Sequence, residues 1–181
     1  MLVWTIVRAF WKAPARLRRR RHEKRQAKAR HAITQGLIAV GTGDALIAHR
    51  HVGMAKRLAE HDPLTLLLQA QTAQLEGDRA GAQHAFHAMA ERKDMRLLGL
   101  RGLFIEAQRN DDLHTAVATA EEALKIAPNS PWASHAVLGF RCAQSDWDGA
   151  LALLDTNKAA GLIENAPYRR QRGVLLTARA L

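Results

Sequence analysis

Nine histidines and a single cysteine are the side chains of this 181-residue sequence best suited to chemistry. His84 and His87 stand three apart, which puts two imidazoles on one helix face, and His49 and His51 flank Arg50. Such pairs can ligate zinc or haem iron. A zinc site takes three or four converging ligands, however, and covalent haem attachment takes Cys-x-x-Cys-His, which is absent. Cys142 has no partner for an internal disulfide, and no glycine turn or fixed base accompanies it. It reads as a buried, inert thiol rather than a nucleophile. Without a Ser/His/Asp set, a phosphate-cradling glycine loop or a metalloprotease pair, the expectation is a non-enzyme with no cofactor and no metal site.

The elements that would position these groups are legible from a repeat. Asp44, Asp78, Asp112 and Asp146 are 34 residues apart, and Ala48, Ala82, Ala116 and Ala150 follow each by four. A period of that length marks stacked helical hairpins and equals a tetratricopeptide unit. Gly43 and Gly77 can take the left-handed conformation that ends a helix, and the aspartate after each can cap the next helix. The alanine lies where two helices must cross closely. In the third and fourth units Asp111 and Ser145 replace the glycine, which predicts looser turns.

The periodicity predicts helices over 29–40 and 45–60, 64–76 and 79–91, 95–108 and 113–127, and 131–143 and 147–160, with a last helix from Pro167 to Leu181. Pro63 and Pro131 suit a first helical turn. The fold class is all-α: an arm over residues 1–30, four tetratricopeptide-like helix pairs over 31–164, and the first helix of an incomplete fifth unit over 165–181. The ending VLLTARAL is apolar, so its outer face is expected to lack the polar cover that usually closes such arrays.

Eleven of the 27 Lys and Arg residues, but only one of the 17 acids, fall within residues 1–30, so the arm carries the whole net charge of +10 and the remainder is neutral. Residues 1–11, MLVWTIVRAFW, are largely apolar, with Trp4 and Trp11, and a cationic run centred on Arg18, Arg19, Arg20 and Arg21 follows. An apolar run with tryptophan beside a cationic run matches the cytoplasmic boundary of a membrane bearing anionic lipid. The run is about half of the roughly 20 apolar residues a span needs, so it suits the interface. Pro14 is expected to break the apolar helix from the basic one. A nucleic-acid-binding arm is the alternative, disfavoured by the neutral body.

The sequence resembles the tetratricopeptide family at Gly36, Ala70, Ala39, Ala73, Ala107, Phe86, Pro128 and the four Asp/Ala pairs. It departs at Trp147, at Phe104 and Leu138 in place of a small residue, and at Met89 and Asn157 in place of a packing alanine. The blocks KAPARLRRRR, DPLTLLLQAQTAQLEGDRAGAQHAF and RLLGLRGLFIEAQRNDDLHTAVATAEEALKIAPNSPWA resemble the alphaproteobacterial HemY-like inner-membrane proteins named for haem biosynthesis. That resemblance implies a scaffold on the cytoplasmic side of the bacterial inner membrane, beside the late steps of haem or tetrapyrrole synthesis. Relatives of that kind carry two membrane helices ahead of the basic segment and further repeats behind, which are missing or cut short here. A haem-handling protein is a further alternative. The flavin-dependent porphyrin oxidase that shares the name has a G-x-G-x-x-G of which no trace is present.

A stacked array offers a concave surface lined by the first helix of each unit, suited to a peptide or a partner's helix. The register puts Gln71, Gln74, Arg101, Gln108, Trp132 and His135 on that face, together with Leu37 and Ile105. Amide, basic and aromatic groups together suit a protein partner with some acidic character.

Overall fold

The computed structural model describes the backbone from Leu2 to Leu181 and the side chains from Arg21 onward. Among the described residues the chain is all helix and turn: α1 (Leu2–Gly41), α2 (Ala45–Ala59), α3 (Pro63–Glu76), α4 (Arg79–Ala90), α5 (Arg96–Arg109), α6 (Leu113–Ile126), α7 (Pro131–Ala143), α8 (Trp147–Ala159) and α9 (Asn165–Ala180). From α2 to α8 the ends fall within one residue of those the periodicity predicts. Two expectations are corrected. The helix predicted over 29–40 is the last part of α1, which continues through Pro14; a proline removes one bond of the ladder, and the bonds on either side can carry the helix past it. The last helix begins at Asn165, two residues ahead of Pro167, because a proline anywhere in the first turn lacks only a donor that would be unpaired there.

The turns share one geometry. Gly43 (φ 77°), Gly77 (73°), Asp111 (54°) and Ser145 (58°) all take the left-handed conformation. In each turn the following aspartate donates its backbone N–H to the carbonyl five residues back: Asp44 to Ala39 at 2.9 Å, Asp78 to Ala73 at 2.8 Å, Asp112 to Ala107 at 2.9 Å and Asp146 to Arg141 at 2.9 Å. The same aspartates accept, through Oδ1, the amides of Ile47, Gly81, Thr115 and Gly149 at 2.9–3.0 Å. The looser third and fourth turns expected from Asp111 and Ser145 are therefore not found. The closing bonds are the same, and what changes is a Cβ cost of about 1–2 kcal/mol at each non-glycine position. Ala48, Ala82, Ala116 and Ala150 are at most 1% exposed, as close helix crossing requires.

The chain forms two compact units, residues 1–85 and 86–181. In the first, α1, α2 and α3 enclose Ala32, Ile33, Ala55 and Leu68. A side chain at Gly36 would run into Leu68, so the small residue permits α1 to approach α3. In the second unit each helix packs on the next, from α5 through α9. Leu100, Ala123 and Ala133 form one layer, Ala120, Val137 and Leu153 the next, and Ala150, Leu151, Leu154 and Leu175 the last. Ser134 donates its hydroxyl to Asn157 Oδ1 at 2.7 Å inside this core, which accounts for asparagine at a packing position. Tyr168 donates to Asp155 Oδ1 at 2.7 Å and ties α9 to α8. That hydrogen bond to a carboxylate raises the phenol above its ordinary pKa. On α9, Val174 and Leu176 are exposed, as the apolar ending predicts.

Candidate partner-binding site

The α5 segment RLLGLRGLFIEAQR carries two stripes. Gly99, Leu100, Gly102, Leu103, Glu106 and Ala107 are buried. Gly99 and Gly102 give up a Cβ so that α5 can lie against the Phe86 ring and the Ala90 backbone of α4. Arg101, Phe104 and Gln108, spaced three and four apart, form the other stripe. On α7 the matching stripe is Pro131, Trp132, His135, Ala136 and Gly139. Phe104, Gln108 and that stripe, together with Phe140, line an open cavity of about 720 Å³. Its floor is aromatic. The Phe104 and Trp132 rings lie 5.4 Å apart at 43°, and Phe104 meets Phe140 at 6.2 Å and 69°. These tilted and edge-on arrangements set positive ring edges against negative faces.

Trp132 and Pro131 are also a wall of a second cavity, about 850 Å³, that extends to the start of α5 and takes in Lys93, Leu97, Leu98, Arg101 and Ile126. Gln108 and His135 stand exposed beside the first cavity and Arg101 beside the second. Four of the six residues predicted for the partner face are thus gathered on α5 and α7. Gln71 and Gln74 are half-buried on α3, in the first unit, and line none of these cavities. Two readings of the inner face are corrected. Leu37 packs into the α1–α2–α3 core. Ile105 is half-buried and outside both linings, while Phe104, one residue earlier, takes the place expected of it. In the tetratricopeptide pattern Phe104 is a departure from a small residue. Phe104, Trp132 and Phe140 on consecutive first helices were the available signal of an aromatic floor.

The arm's predicted contacts divide between described and undescribed side chains. Trp4, Trp11, Arg18, Arg19 and Arg20 lie outside the described side chains; Arg21 is exposed, as are Lys24, Lys28 and Arg30. Arg25 turns toward the body, donating Nε to the Leu58 carbonyl at 3.1 Å and Nη2 to that of Arg57 at 3.0 Å. Those carbonyls close α2 and lack helical partners, so a cation there meets the negative end of the helix. Among the described residues no helix is long and apolar enough to cross a membrane.

His84 and His87 are exposed. His49 Nδ1 lies 2.9 Å from Glu76 Oε1, and the buried Nδ1 of His51 has no hydrogen-bond partner. No group of three His, Cys, Asp or Glu suited to a metal occurs among the described residues. Cys142, expected to be buried, is half-buried against the Ala150–Leu154 layer, because α7 ends one residue later and leaves one side of it open.

Residues 1–77, which span α1 to α3, match the family model described as HemY protein N-terminus, and the chain is HemY-like over that stretch. No curated protein sequence matches the chain.

Proposed function

We propose that this HemY-like chain is a non-enzymatic scaffold of tetratricopeptide type, which holds protein partners and is attached to the cytoplasmic face of the bacterial inner membrane through residues 1–30. By its likeness to HemY, the process it serves is haem or tetrapyrrole synthesis. The observation that carries the binding role is the pairing of α5 and α7, whose outward stripes surround an aromatic floor with exposed Arg101, Gln108 and His135. A floor that is apolar and half-open, with polar groups at its edge, is suited to an extended peptide or a helix. The attachment rests on charge: the +10 of the chain is confined to the arm, behind an apolar run with two tryptophans.

Flotation of the full chain with anionic and with neutral vesicles tests the attachment. Recovery with anionic vesicles should exceed that with neutral ones and fall when residues 1–30 are removed; equal recovery of both forms rejects it. Photo-crosslinking of partners from α5 and α7 tests the scaffold.

A further inference from the structure

Aspartate starts most helices of this chain. Asp44, Asp62, Asp78, Asp112 and Asp146 each accept an amide from the first turn of α2, α3, α4, α6 or α8. α5 and α7 are different. Met95 has no oxygen with which to cap α5, and the Ser130 hydroxyl makes no cap for α7. Both uncapped first turns line the same cavity of about 850 Å³. Glu164 also makes no cap for α9, but the first turn of α9 lines none of the cavities above.

Three further groups line the same cavity. Ser130 is 6% exposed and lines the cavity, and its hydroxyl has no partner among the described residues. Lys93 and Arg101 line it too, are exposed, and have no acidic partner among the described residues. The other charges of the lining are matched: Arg92 holds Asp94 through two bonds at 3.0–3.1 Å, and Arg96 bonds Glu122 at 2.7 Å. The end of α6, the negative end of that helix, also borders the cavity, so the positive charge of the lining comes from Lys93 and Arg101. The walls between are apolar: Leu97, Leu98, Ile126 and Trp132.

We infer that this cavity binds the carboxylate of an acidic side chain in a partner peptide whose neighbouring large apolar side chain lies on Trp132. The inference rests on the scaffold reading of α5 and α7 and adds the chemistry of the guest. Unused amides at the two helix starts, to which Pro131 contributes none, attract negative charge, Lys93 and Arg101 supply full charges, and the Ser130 hydroxyl supplies a directed donor. An apolar guest without a carboxylate would leave all of them unpaired.

The test is an amide NMR titration of the full chain in detergent micelles. The probes are acetyl-phenylalanyl-glutamate amide, its glutamine counterpart and inorganic phosphate. The glutamate peptide should shift the amides of Leu97, Leu98 and Trp132 and bind about five- to tenfold more tightly than the glutamine peptide. Lys93→Gln, Arg101→Gln and Ser130→Ala should each weaken it roughly threefold or more, with melting temperatures unchanged for the two exposed sites. Phosphate that shifts those amides more tightly than the peptide overturns the carboxylate assignment. So do equal responses to the two peptides and the absence of any shift at these amides. Shifts confined to Gln108, His135 and Gly139 likewise remove the anion site, while leaving the groove reading intact.

Discussion

Phe104 of α5 meets Trp132 of α7 with ring centroids 5.4 Å apart and planes inclined at 43°. Two helices from successive hairpins are thereby joined on their open side as well as through the buried layer of Leu100, Ala123 and Ala133. A double-mutant cycle with Phe104→Leu and Trp132→Leu should give a coupling of about 0.5–1.5 kcal/mol in urea unfolding. Additive effects would mean that the rings merely share a solvent-covered surface.

Asp111 and Ser145 hold the position that glycine holds in the first two turns, with φ of 54° and 58°. Asp111→Gly and Ser145→Gly should each raise stability by about 1 kcal/mol by relieving the Cβ clash, less the backbone entropy that glycine adds to the unfolded chain. Gly77→Ala should lower it by a similar amount. Urea midpoints measured on the four proteins give the comparison; destabilisation by both glycine substitutions would show that the left-handed positions carry no strain.

The Asp112 carboxylate lies below the ordinary carboxylate pKa because of the hydrogen bonds Thr115 offers it. A depressed folded-state pKa means that this stabilisation is complete above the unfolded value, near 4, and is lost as pH falls through the lower folded value. Asp112→Asn keeps a cap but has no titration. Its deficit relative to the parent should therefore be greatest near neutrality and shrink toward about pH 2.5; a deficit that does not change with pH rejects the assignment.

Arg25 donates to the carbonyls of Arg57 and Leu58 at the end of α2. Replacing it with leucine should cost about 1 kcal/mol and speed amide exchange in the last turn of α2, where the carbonyls lose their donors. Lys24→Leu, on an exposed neighbour with no such bond, is the control and should change neither.

Ser134 and Asn157 share a buried bond of 2.7 Å. Ser134→Ala leaves the Asn157 oxygen without that donor and should destabilise by about 1–3 kcal/mol. Ser134→Ala combined with Asn157→Ala, which restores the usual packing alanine, should recover part of the loss. A double variant no better than the single one contradicts the pairing.

The hairpins were legible because turns are made of local interactions. A residue able to take positive φ, an aspartate one position on and an alanine four beyond it specify a helix end, a cap and a crossing point from sequence alone. The geometry at Asp111 and Ser145 was missed because backbone bonds close a turn whatever side chain bears the strain. The course of α1 past Pro14 was missed for a related reason, since a proline signals a lost donor and leaves the neighbouring ladder bonds undecided. At the site, a helical stripe read to within one residue gave Arg101, Gln108, Trp132 and His135 but chose Ile105 over Phe104, because adjacent residues on a helix differ by only about 100° and the packing of Trp132 and Phe140 decided between them. The cavity at the starts of α5 and α7 had no linear signature; its groups are spread from Lys93 to Trp132 and meet only when the helices pack.

The central claim is that α5 and α7 present a partner-binding face. A photo-crosslinking amino acid at Gln108 or at His135 of the full chain, in native membranes, tests it against the same group at His114, which is exposed on α6 away from both cavities. A discrete adduct from Gln108 and His135, absent from His114 and lost in Trp132→Ala, is the predicted result. Equal labelling from all three positions, or labelling that survives the loss of Trp132, would contradict it.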